Sequence, residues 1–237
     1  MNWTHNDELE ALADYRDNQN TGPMSDTDIA RALLSERLKI VGRRLNIQPA
    51  SVDLHLGETF LEDRGTSILN EELSPCKTFD AQSNAIQLRD GATLVRFDDL
   101  GAFLGIAQRF VDDKRDLLCG SRLPLTFLVL AVGSCVLAHT DEIVTFPREL
   151  RGQIRGKSRY DRKMIAVTCG GGYVDPGYTG QLTLSIQNRS NRFQIIQVGA
   201  PICQLEIARL TSPAARVYGD SELKSHYQGS MGPVSAK

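Results

Sequence analysis

The sequence predicts a mainly β protein, a sandwich or barrel of short strands with one helix ahead of them and another inserted among them. Three observations carry this. From residue 46 onward, short runs of alternating apolar residues recur between Gly, Pro, Asn and Asp, as at 51–56, 127–131, 181–186 and 194–198. Helical spacing of apolar residues stands out at only two places. The longest apolar run, 123–138, is broken by Pro124, Thr126, Gly133 and Ser134, which suits strands and is too short for a bilayer span.

Taken in order, residues 1–23 are polar and end in Asn18-Gln-Asn-Thr-Gly-Pro23, the pattern of a flexible extension with one short helix around 8–15. Ser25-Asp-Thr-Asp28 supplies an N-cap and first-turn acids, and Ile29, Ala32, Leu33 and Leu38 continue at helical spacing, so a helix is expected over 26–37. The β domain then runs to 212. Within it, Leu100, Phe103, Leu104, Ala107 and Phe110 mark an inserted helix over 98–116. Residues 213–237 carry aromatics and glycines without a core pattern. Two readings stay open for them: a frayed terminus, or a flexible lid that orders over ligand.

The chain has 237 residues, with 27 Lys and Arg against 29 Asp and Glu, a formal charge of −2. Near-neutrality removes the electrostatic footprint of a protein that binds duplex nucleic acid or a membrane surface. The acidic, polar N-terminus is not a signal peptide, and the five cysteines show no CxxC spacing. A cytoplasmic location with reduced thiols is expected. The neutral total hides a basic stretch, 148–163, whose only acids are Glu149 and Asp161.

Two segments carry candidate chemistry. In Gly170-Gly-Gly-Tyr-Val-Asp-Pro-Gly-Tyr-Thr-Gly180 the glycines permit close backbone approach to a flat ligand, and Asp175-Pro-Gly177 makes a tight turn. By itself this is a β-hairpin. Upstream, Arg155-Gly-Lys-Ser-Arg-Tyr-Asp-Arg162 gathers cations, a hydroxyl and backbone N–H groups suited to phosphate oxygens. No GxxxxGK[ST] is present, which excludes a P-loop NTPase.

The order of motifs resembles a family. Gln48-Pro-Ala-Ser-Val-Asp-Leu-His-Leu-Gly57 resembles the segment after the first helix in dCTP deaminases. Gly156-Lys-Ser-Arg159 is similar to their Gly-Arg-Ser-Ser turn, and Val174-Asp-Pro-Gly-Tyr-Thr-Gly180 to the hairpin shared with trimeric dUTPases. Ser225-His-Tyr-Gln-Gly-Ser-Met-Gly-Pro233 resembles the closing Tyr-Gln-Gly-x-x-Gly-Pro segment of dCTP deaminases. The resemblance spans 25–235, with a poorly matching insertion at about 60–120. It implies a distorted jelly roll of the dUTPase type and a homotrimer with interfacial sites. It also implies a pyrimidine deoxynucleoside triphosphate as ligand, carrying Mg²⁺. No direct protein ligand to the metal is implied, with Asp53 a candidate support; a structural role for Asp53 stays equally open.

The same resemblance distributes roles. Asp175 activates water, Ser158, Lys157, Arg159 and Gln204 hold phosphates, and Arg162 falls on an arginine that deaminases use. Gly171, Gly172 and Tyr173 read the base edge, Tyr178 packs on the sugar, and Tyr227 and Gln228 close with the tail. The deaminase carboxylate, ten residues beyond the hairpin Asp, is here Ser185, which has no carboxylate to shuttle a proton. Gly180 to Arg189 is instead similar to the matching strand of some dUTPases. The expectation is therefore hydrolysis of a pyrimidine deoxynucleoside triphosphate with release of pyrophosphate, dUTP to dUMP. The alternative is dCTP deamination. A second alternative, a non-catalytic nucleotide-binding regulator, rests on Lys157 and Arg159 in the turn and on His226 and Ser230 in the tail, where the family pattern differs.

Overall fold

The computed structural model describes residues 21–61, 67–69, 85–87, 92–97, 125–169 and 172–234. The helices expected around 8–15 and 98–116, and nearly all of the leader, lie outside the described residues. At the start, β1 (Gly22–Pro23) pairs with the end of a late strand, and Met24, 2% exposed, donates its N–H to Ile207 O. Helix α1 (Asp26–Leu34) follows as its cap predicts: the Ser25 hydroxyl accepts from Asp28 N–H, and Ile29 and Ala32 face the core. It ends three residues short of the expected 37. Ser35 closes the last turn onto Arg31 O, and Glu36 takes a φ of +54°, which no helix can continue.

Everything else described is strand, turn or one-turn helix. β2 (Lys39–Val41), β3 (Asn46–Gln48), β4 (Ser51–His55), β5 (Thr59–Leu61) and β6 (Ser67–Leu69) precede β7 (Ala85–Gln87) and β8 (Ala92–Phe97). The last three fall inside the stretch set apart as an insertion. Then come β9 (Leu125–Leu130), β10 (Cys135–Thr145), β11 (Leu150–Gly156), the short helix α2 (Ser158–Asp161) and β12 (Ile165–Thr168). β13 (Tyr173–Val174), β14 (Thr179–Asn188), β15 (Gln194–Gln197) and β16 (Pro201–Arg209) complete the set. One sheet runs β13-β11-β16-β4-β3 with β1 on β16, a second β12-β14-β10-β2, a third β15-β9-β8-β7; β5 and β6 form a hairpin.

β14 shows why this sequence makes a two-faced strand. Leu182, Leu184 and Ile186 point into the core, while Gln181, Thr183 and Ser185 face outward, a strict period of two. Its partner β10 keeps that register from Cys135 to His139, then shifts before Ile143. At the bulge the Thr140 hydroxyl accepts from Leu182 N–H and donates to Glu142 O, so the break in the ladder is closed by a side chain. The core joins Leu54, Leu56, Leu128, Leu184, Ile202 and Leu205 across the sheets.

The two strand histidines are held by structural contacts. His55 packs against the fully buried Glu142, which accepts from its backbone N–H at 2.9 Å and from its ring at 2.6 Å. His139 faces Thr140 O with Nδ1 at 2.8 Å and accepts Thr59 N–H at Nε2. That pairing makes it the neutral Nδ1–H tautomer, and burial lowers its pKa. Gly57 leaves room for the ring: a Cβ there would sit 2.2 Å from its Cε1.

Candidate active site

The hairpin between β13 and β14 turns at Asp175-Pro-Gly177. Gly177 has φ +85°, and a Cβ would meet Val217 at 2.5 Å, so both the turn and the packing demand glycine. The turn is tied to β10 by Phe146 N–H on Tyr178 O and Gly177 N–H on Phe146 O. This leaves the Asp175 carboxyl at the mouth of a cavity of about 550 Å³, a size suited to a small organic ligand. Partial burial raises the Asp175 pKa above the usual carboxylate range.

Ser185 and Thr183 from β14 and Leu137 from β10 line the cavity, with Cys169, Tyr173 and Tyr178 beside them. The Ser185 hydroxyl lies 3.2 Å from Cys135 Sγ. Cys169 is a half-buried lining group, and desolvation pushes its pKa up to about 11, which keeps the thiol protonated near neutral pH. Tyr178 is 8% exposed; its hydroxyl donates to Gln181 O at 2.6 Å and its ring meets Tyr218 edge-on at 5.5 Å. Tyr173 is half exposed, with the Arg151 guanidinium 5.7 Å from its ring centre. Gly172 has φ +73°, donates its N–H to Cys169 O and accepts Ile154 N–H, so its backbone holds the loop to β11. Gly171 lies outside the described residues.

The tail supplies the cover. Gly229 N–H reaches Thr179 O, Gln181 N–H reaches Ser230 O, and Gly232 N–H reaches the Gln181 side chain. Gln228 bridges Thr179 N–H and Gly177 O, while Tyr227, Ser230 and Val234 line the cavity with Tyr218. Gly180 makes this approach possible: at φ +148°, an added Cβ would stand 2.9 Å from both Ser230 N and O. Tyr218 and Leu137 were not singled out from the sequence. Tyr218 lies in the tail ahead of the motif that resembled the family, and Leu137 reads as ordinary strand.

The residues expected to hold phosphate gather elsewhere. Asp53, 3% exposed, is a hub. Its Oδ1 accepts from Lys157 Nζ at 2.5 Å and from the Gln204 amide at 3.3 Å; its Oδ2 accepts from Asn46 at 2.8 Å and Gln48 at 3.3 Å. Both oxygens are engaged, which fits the structural role and leaves Asp53 no lone pair aimed at a metal. Among the described residues no three His, Cys, Asp or Glu side chains gather as they would around a metal ion. Ser158, Arg159 and Arg162 are exposed on and after α2, and none of them, nor Lys157 or Gln204, lines the Asp175 cavity of the same chain. Glu206 faces Arg155 at 3.5 Å, away from the cavity. Asp175 is thus the single acid lining it among the described residues. An aromatic and apolar slot with one carboxylate and a few hydroxyls can bind a flat, weakly polar group and move one proton. No described helix is long and apolar enough to cross a membrane.

Comparison with known proteins agrees with this arrangement of motifs. Residues 62–210 match the family model described as dCTP deaminase-like, a range that runs through the 60–120 stretch. A dUMP-forming dCTP deaminase of Mycolicibacterium paratuberculosis is 29% identical over 90% of this chain and 94% of its own length. A dCTP deaminase of Natronomonas pharaonis is 31% identical over 90% and 93%. The crystal structure of the dCTP deaminase of Agrobacterium tumefaciens aligns with a TM-score of 0.46 at 20% identity, covering 80% of this chain and 49% of that one. The chain belongs to the dCTP deaminase-like family.

Proposed function

We propose that this protein hydrolyses a pyrimidine deoxynucleoside triphosphate, dUTP above all, to the monophosphate and pyrophosphate. One observation carries the reading: Ser185 lines the cavity where a deaminase needs a carboxylate, and Asp175 is the single acid there among the described residues. In the proposed step a water oxygen bonds to the α-phosphorus while its proton passes to the Asp175 carboxylate. The bond from the α-phosphorus to the α,β-bridging oxygen breaks, and pyrophosphate leaves with the electron pair. The base and sugar occupy the slot walled by Tyr173 and Tyr178. Ser158, Lys157, Arg159, Arg162 and Gln204 lie off this cavity, so a homotrimer is proposed, in which one copy's basic turn serves its neighbour's cavity. Mg²⁺ enters the proposal as the ion carried by the triphosphate.

A second reading is dCTP deamination, and the names of the relatives favour it over hydrolysis of dUTP alone. Forming dUMP from dCTP requires both loss of the 4-amino group and loss of pyrophosphate. The hydrolytic half is common to both readings; the deaminating half needs a proton shuttle that the Ser185 hydroxyl does not replace. The test is to incubate the purified protein with Mg²⁺ and either dUTP or dCTP, and follow pyrophosphate and ammonia. Pyrophosphate that disappears in Asp175→Asn supports hydrolysis. Ammonia from dCTP establishes the deaminase, and binding without either product establishes the regulator.

A further inference from the structure

Three turns meet around the fully buried Asn188, at one end of the β12-β14-β10 sheet. The Asn188 amide donates to Leu130 O, Ala131 O and Arg192 O, and its side-chain oxygen accepts from the Ser190 N–H and hydroxyl. Gly133 N–H donates to Asn188 O, Arg189 N–H to Met164 O, and the Gln194 amide to Lys163 O. On this framework three large apolar side chains stand in solvent: Val132, Met164 and Phe193, exposed by 57%, 60% and 51%. Met164 is held there at a cost. It follows α2 with φ +59° and donates its N–H to Asp161 O, in the left-handed position that glycine usually takes after a helix. The turns 131–134, 162–164 and 189–193 also carry Arg162, Lys163, Arg189 and Arg192 and no acid.

We propose that this basic, apolar end is the docking surface for the chain's own leader, residues 1–20. Complementarity of charge and pattern argues for that occupant. The leader carries Asp7, Glu8, Glu10, Asp14 and Asp17 against one arginine, Arg16. At helical spacing Glu10, Asp14 and Asp17 share one face, while Leu9, Leu12 and Ala13 fall on another. Such a segment offers carboxylates to the arginines and leucines to Val132, Met164 and Phe193. Reach sets no limit. Twenty residues extend to about 66 Å, and a domain of this length has a radius of gyration of about 18 Å. The exposed pair Val41 and Leu45 is a poorer match, because Lys39 already faces Glu36, and Arg43 faces Glu58 and Asp141.

Trp3 is the single tryptophan of the chain, so its fluorescence reads the leader alone. The experiment is acrylamide quenching of Trp3 in the full chain at low and high salt. Wild type is compared with Met164→Ser/Phe193→Ser, with Arg189→Glu/Arg192→Glu, and with the control Val41→Ser/Leu45→Ser. All six side chains are exposed, so the fold should survive, and a thermal melt checks it. In wild type Trp3 is expected to be shielded at low salt. High salt and either of the first two pairs should raise the quenching constant about twofold or more and shift the emission to the red, while the control changes neither. Adding Glu10→Arg/Asp14→Arg to the Arg189→Glu/Arg192→Glu chain, which reverses both sides of the charge match, should restore the shielding. An open Trp3 in wild type, shielding that survives both surface pairs, equal release by the control, or no rescue by the reversed charges overturns the proposal. Shielding lost on dilution together with a fall in mass by light scattering also overturns it, and assigns the surface to a contact between two copies.

Discussion

Replacing Asp53 by Ala tests whether the polar hub on the β4 and β16 surface is the structural element it resembles. The carboxylate is almost wholly buried, and Lys157, with 17% of its side chain exposed, has its ammonium 2.5 Å away. Removing the acid leaves a largely desolvated cation without its counter-charge. It also strips the acceptor from the amides of Asn46, Gln48 and Gln204. Breaking one partner of a buried pair costs about 3–5 kcal/mol, a large part of the roughly 5–15 kcal/mol that holds a domain folded. For a chain this long, each kcal/mol shifts Tm by about 2–4 °C, so a drop of roughly 6–20 °C is expected. Urea denaturation of Asp53→Ala, Lys157→Met and the double variant gives the coupling. The double variant should recover much of the loss, because the orphaned charge is gone. A loss below about 1 kcal/mol in Asp53→Ala, or strictly additive effects, refutes the hub.

Three further outcomes follow from other parts of the fold. His139 is held neutral, with its folded pKa lowered by burial below an ordinary value near 6.5. Its contribution to stability is full above that value and is lost as pH falls through the lowered one, because protonated Nε2 would face Thr59 N–H. Between pH 7.5 and 5 wild type should therefore lose more stability than His139→Gln in paired urea melts; parallel losses contradict the tautomer. Gly180→Ala should displace the tail from β14 and reduce kcat/KM at least tenfold with little change in Tm, read by nucleotide turnover and proteolysis of the tail. Intact tail protection would count against that packing. Ser185→Ala should weaken nucleotide binding by about 1 kcal/mol, one hydrogen bond, while the turnover rate holds. A roughly hundredfold or greater fall in turnover would instead make Ser185 a participant in proton transfer.

Much of the local structure was legible because it is written in short-range pattern. The Ser25 cap and first-turn acids gave α1, and the alternation through Gln181 to Ile186 gave β14 with its inward and outward faces. The end of α1 was missed since it depends on one left-handed residue, Glu36, which no periodicity marks. Long-range choices were less accessible. That Lys157 of the basic turn also pairs with Asp53, 104 residues earlier, was not legible, because only the pairing of β16 with both β11 and β4 brings the two together. The lid reading of the tail came from the family resemblance, while the contacts that dock it were hidden for a similar reason. They use backbone hydrogen bonds and the Gln181 and Gln228 amides, so an apolar pattern was not needed and none was present.

Central to the proposed function is activation of water against phosphorus with the pyrimidine ring left intact. Mass spectrometry of products formed from dUTP and from dCTP in ¹⁸O-labelled water reads both events in one measurement. One ¹⁸O is expected on the phosphate of dUMP, none in the pyrophosphate, and no conversion of cytosine to uracil, with the labelled product lost in Asp175→Asn. Uracil carrying ¹⁸O at its 4-oxygen, formed from dCTP, would contradict it.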